Sequence, residues 1–95
     1  MSQSEIKQRH KRAVNRAISL LESPPANYKA YEIKDIVFDA IAIKASELII
    51  IRIVLDEISS DDIRVVRESE LPDNMIKKVM CKEKDKRGFI EKIIN

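Results

Sequence analysis

One acid, Asp39, stands in an otherwise apolar run, and one guanidinium, Arg52, stands in the next. Residues 31–57 read YEIKDIVFDAIAIKASELIIIRIVLDE, two strands joined by a tight turn at Ala45-Ser46. A carboxylate in such a place must be paired, hydrated or bound to metal. Burying it bare would cost about several kcal/mol, so it would shift its pKa instead. What faces Asp39 across the sheet therefore decides the chemistry. In a hairpin turning at Ala45-Ser46, the Asp39 face (Val37, Ile41) is expected to be the Arg52 face (Ile50, Val54). Arg52 is thus the expected ion-pair partner, held by charge-assisted, two-pronged bonds. A guanidinium has donors only and repels a cation, so this arrangement speaks against a catalytic metal.

The elements that would position this pair follow from periodicity. Ser2-Gln3-Ser4-Glu5 has capping-box spacing, and Ile6, Ala13, Val14, Ala17, Ile18 and Leu21 form a helical stripe with His10 in line. The pattern predicts a helix over residues 3–22, stopped by Ser23-Pro24-Pro25. Strands are predicted over 28–35, 36–44 and 47–55. The last is apolar on both faces, as a central strand covered on both sides should be. Ser59, Ser60, Asp61 and Asp62 open a short helix that ends at Leu71-Pro72-Asp73. Strands over 75–82 and 89–94 close the chain, around a turn where Gly88, the only glycine, is expected to take positive φ. The fold class expected is α/β (α+β) in the order αβββαββ, a mixed sheet flanked by two helices in one domain, residues 1–95.

Composition narrows the partners. The single cysteine, Cys81, cannot close an internal disulfide, which suits a reducing, cytoplasmic setting. With His10 the only histidine, a zinc site lacks ligands. No apolar run approaches the roughly 20 residues of a membrane span. Sixteen isoleucines and abundant charge suit a thermophilic protein, or a codon bias toward A and T. The net charge of +2 conceals cationic ends and an anionic middle. An acidic partner would be drawn to the ends, although such charge also serves simply to solvate a surface.

The element order, with Phe38-Asp39-Ala40-Ile41-Ala42-Ile43-Lys44 before a turn and Leu48-Ile49-Ile50-Ile51-Arg52-Ile53-Val54 after it, resembles the PD-(D/E)XK nuclease superfamily. The likeness is to small archaeal Holliday-junction-resolvase-like and VRR-NUC-like domains with a restriction-endonuclease-like sheet. In that superfamily a second-strand acid is followed, in the third strand, by an acid or glutamine, a spacer and a lysine. The resemblance implies that Asp39 is the remnant of the motif. It also places Arg52 at the acid position and Val54 at the lysine position, and neither can do that work. What it implies is a catalytically inactive, archaeal or viral nuclease-like domain without cofactor. An active enzyme would need Mg²⁺, with Asp39 and Glu5 as ligands.

Nucleic acid is then the expected partner, held by Lys7, Lys11, Arg12 and Arg16 of the first helix. Lys77, Lys78, Lys82, Lys84, Lys86 and Arg87 of the C-terminal hairpin would complete the contact, in a largely sequence-independent way. Few aromatics are present, which argues against a dedicated single-strand binder. Two alternatives stand beside this reading. One is an active nuclease whose residues have migrated, Asp39 working with Glu47, Asp56 or Glu57, and Lys44 or Arg64 replacing the lysine. The other is a structural piece that forms a homodimer through an exposed strand edge, with no nucleic acid and no membrane. Bland roles suit the remaining candidates. Glu5 completes a cap, His10 lies at a helix boundary, Lys44 and Glu47 are turn residues, and Cys81 is a small core residue.

Overall fold

The computed structural model describes residues 2–95. Helix α1 (Gln3–Glu22) starts where the Ser2 hydroxyl accepts the Glu5 amide, and Ser23 stops it before the prolines. Its stripe buries Ala13, Val14, Ala17 and Leu21. Strands β1 (Lys29–Glu32), β2 (Ala40–Lys44) and β3 (Glu47–Leu55) form an antiparallel meander. Helix α2 (Ser60–Glu68) carries the chain across to β4 (Met75–Lys82), which runs parallel to β3, and β5 (Ile90–Ile94) returns antiparallel. The five strands lie in chain order in one mixed sheet flanked by the two helices, the α+β architecture expected.

The helices sit on opposite faces. One apolar cluster joins α1 to Ala40, Ala42, Ile49, Ile51 and Ile53. The other joins Val66 of α2 to Phe38, Ile50, Val54, Val79 and Cys81. Alternate residues of β3 thus enter different cores, which is why that strand reads as one unbroken Ile/Val run. Cys81 is buried, as its place in the pattern suggests.

Three local expectations are corrected. The first two strands are shorter than 28–35 and 36–44, because the Asp35 carboxylate accepts the amides of Val37 and Phe38 and folds that segment into a turn. The turn breaks the alternation: Phe38 enters the α2-side core while Ala40 enters the α1-side core. Gly88 does not take positive φ; Asp85 does, at 65°, in the same connection. The turn at Ala45-Ser46 forms as expected, with Ala45 at φ 52° and Ile41 directly opposite Ile50.

Candidate nucleic-acid interface

At the far end of the meander, β3 outruns β2. Pairing stops at Ala40 opposite Ile51, so residues 52–55 lack a β2 partner. Two side chains take over the pairing. The Ile53 amide donates to Asp39 Oδ2 at 2.7 Å, and Arg52 Nη1 donates to the Val37 carbonyl at 2.8 Å. Each residue thereby satisfies backbone on the other's segment, as burial of peptide groups requires.

Asp39 and Arg52 do not pair with one another, and that expectation fails for a stated reason. The break at Asp35 turns Asp39 toward α1, whereas Arg52 stays on the α2 face. Arg52 Nε donates to Asp62 Oδ1 at 3.0 Å. Asp62 is also the third residue of α2 and closes a capping box with Ser59. Burial alone would raise the Asp62 pKa; the amide and hydroxyl of Ser59, with Arg52, outweigh it and leave the pKa lowered.

Asp39 Oδ1 lies 3.3 Å from His10 Nε2, which is also 3.1 Å from the Ile53 carbonyl. Both neighbours are acceptors, so Nε2 carries the proton. The Asp39 contact, with help from Ile53, raises the imidazole pKa against the opposing pull of burial and Arg52. His10 is therefore not a plain boundary residue. Its place in an apolar stripe was the available signal, since a polar ring there must meet a polar partner.

This end does not gather a divalent-cation site from Asp39 and Glu5. One Asp39 oxygen is committed to an amide and the other faces an imidazole N–H. Among the described residues, no group of three His, Cys, Asp or Glu side chains stands where it could hold a metal ion.

The ten expected phosphate contacts do not form one surface. Lys77 lies on the α2 face and donates to the carbonyls of Arg67 and Ser69, at the end of α2. Lys11 pairs with Glu32 at 2.6 Å and Lys78 with Glu91 at 2.8 Å. Lys82 Nζ donates to the carbonyls of Glu83 and Lys86. Lys7, Arg16, Lys84, Lys86 and Arg87 are exposed and, among the described residues, enter no ion pair.

Two sequence-distant basic segments nevertheless meet. Arg9, Arg12 and Arg16, on one side of α1 at helical spacing, face Lys82 and Lys84 across an open groove of about 360 Å³. Ala13 and Leu55 also line it, as do the acids Glu83 and Asp85. Arg9 was missed in the sequence, though its spacing from Arg12 and Arg16 could have revealed it. Its Nη2 donates to Asp56 Oδ1 at 2.8 Å. Asp56 is held at φ 71°, its amide bonded to the Lys82 carbonyl. Arg9, with a Lys84 charge and amide adding to it, keeps the exposed Asp56 carboxyl below its ordinary value.

The fold and this groove define a small α+β protein with a cationic cleft between its first helix and its last hairpin. No family model, curated protein or solved structure matches the chain.

Proposed function

We propose that this chain is a nucleic-acid-binding module on a nuclease-like scaffold, one that grips phosphates without cleaving them. The observation that carries the reading is the convergence of Arg12 and Arg16 with Lys82 and Lys84 on one groove. Among the described residues, Arg12 makes a 3.3 Å contact to the Gln8 carbonyl of its own helix, and Arg16 and Lys84 enter no ion pair. Cations left available in a groove attract a polyanion and release its counterions. None of Tyr28, Tyr31, Phe38 or Phe89 lines the groove, so it offers backbone contact rather than base stacking.

The non-cleaving part of the reading rests on Asp39 and Arg52. Both are consumed in holding strand ends together, and a scaffold that uses its remnant acid this way has none to spare for chemistry. Binding to duplex, single-stranded and branched DNA, measured by fluorescence anisotropy across a salt series, tests the proposal. Affinity should fall steeply with salt, by a log–log slope of about −0.9 per phosphate engaged. Binding indifferent to salt, or cleavage with Mg²⁺ or Mn²⁺, would refute it.

The homodimer reading has one observation in its favour: Ile90 and Ile93 on the open edge of β5 are 52% and 58% exposed. Charge opposes it. A two-fold axis normal to the sheet would set Lys92 against Lys92 or Glu91 against Glu91 in two of the three central registers, where facing like charges repel; the third sets Ile93 against Ile93. Sedimentation separates the readings.

A further inference from the structure

We propose that the pocket between the C-terminal end of α1 and the β4–β5 hairpin takes one unpaired nucleobase of a strand whose phosphates lie in the basic groove. The inference rests on the nucleic-acid reading and names the substrate class of the same site, a single strand or an unpaired stretch.

The pocket continues the groove. Arg16 lines the groove and Leu20 the pocket, and the two lie about 6 Å apart along one side of α1. On the facing wall Lys82 belongs to the groove, and Met80 and Lys78 to the pocket, alternate residues on one face of β4. A backbone laid along Arg12 and Arg16 therefore leads into the pocket.

Its size suits one base. Helix α1 packs over β1, β2 and β3, which leaves this side of the hairpin open. The cavity measures about 190 Å³. Benzene is held in an apolar cavity of about 150 Å³, so there is room for one planar base and none for a base pair.

Its walls suit a ring better than a phosphate. Phe89 and Tyr28 both line it, whereas among the described residues no aromatic lines the groove. Tyr28 is a fixed wall: Lys44 Nζ lies 5.4 Å from its ring centroid, and its hydroxyl donates to Glu47 Oε1 at 2.8 Å. Lys78, the cation that lines the pocket, is already paired with Glu91 at 2.8 Å. Every base has a π-face, so stacking here is tolerant of sequence.

The test compares two fluorescein-labelled single strands of equal length, one of mixed sequence and one whose sugars carry no bases. The wild-type protein should bind the base-bearing strand about tenfold tighter at any one salt concentration. The two salt slopes should be equal, because the phosphates are the same. Phe89→Leu keeps the pocket apolar but removes the ring. It should erase the preference and leave affinity for the abasic strand unchanged. An iodouracil-bearing strand irradiated on the wild-type protein should crosslink to Phe89 or Tyr28, mapped by mass spectrometry, and this result decides if Phe89→Leu does not fold. Equal affinity for the two strands, a preference that survives in folded Phe89→Leu, or crosslinks only outside the pocket would overturn the inference while leaving the groove's function standing. A wild-type protein that binds neither strand nor duplex removes the functional reading and this inference with it.

Discussion

The clasp at Asp39 and Arg52 and the groove at Arg12 and Arg16 lie at the same end of the sheet, and they treat charge in opposite ways. In the clasp every charged group has a designated backbone or side-chain partner: Ile53 and His10 for Asp39, Val37 and Asp62 for Arg52. In the groove, Arg16 and Lys84 stand exposed, without ion pairs among the described residues. The difference separates charge used to finish a fold from charge left over for a ligand. It also shows why residue type alone misleads. The acid in the apolar run completes the strand pairing, and the plain surface arginines are the better candidates for a ligand.

The largest effect that would break this division belongs to the clasp. Asp39→Ala strands the amide of buried Ile53 and strips His10 of its carboxylate, so unfolding in urea should register a loss of about 2–3 kcal/mol. DNA affinity of the folded fraction should stay within about twofold. A large loss of affinity at unchanged stability would move Asp39 into the binding site.

Next comes the groove. Arg16→Ala with Lys84→Ala should leave the urea midpoint alone while weakening duplex binding at least tenfold and flattening the salt slope by about 1.8, two phosphate contacts. Equal weakening by Lys7→Ala, outside the groove, would dissolve the distinction between the groove and general surface charge.

A smaller effect sharpens the clasp. Arg52→Lys keeps the charge but cannot serve the Val37 carbonyl and Asp62 with a rigid fork, and should cost about 1–2 kcal/mol. Asp62 has a lowered pKa, so its contribution is complete above its ordinary value of 3.8 and is lost as pH falls through the folded value. The gap between Arg52→Lys and wild type should therefore narrow below about pH 4, read from midpoints at successive pH values.

The smallest effect is His10. Its folded pKa is raised, so the stability it adds is complete below its ordinary 6.5 and disappears as pH rises through the folded value. Wild type should exceed His10→Gln by under about 1 kcal/mol at pH 5.5, since the pair is partly exposed, and the two should converge toward pH 8.5. A gap that grows with pH would mean the imidazole is favoured neutral, contrary to its contact with Asp39.

Where periodicity is long, the sequence discloses the architecture. Helix α1, strands β3 and β4 and the capped start of α2 follow directly from spacing, caps and the double-sided Ile/Val run. Strand β2 was misjudged because Asp35 competes for the backbone through its side chain, a local preference that hydrophobic alternation does not register. That single turn explains the misplaced ion pair. Register was read correctly around Ala45-Ser46, yet alternation cannot be extended through a break. The groove was half legible: its cations were named, but their sorting was not. Which lysines are spent on carbonyls, as Lys77 and Lys82 are, depends on neighbours distant along the chain or on a turn's exact path.

The single parallel seam between β3 and β4 carries a consequence for assembly. Before it, the three-stranded meander is stitched by hairpin neighbours, as β4 and β5 are after it, while α1 reaches β3 from far along the chain, His10 meeting the Ile53 carbonyl. The seam joins residues more than twenty apart and can zip only once the crossover is in place. The two parts meet along that line and through both cores, Met80 of β4 joining the α1 side and Val66 of α2 packing with Ile50 and Val54.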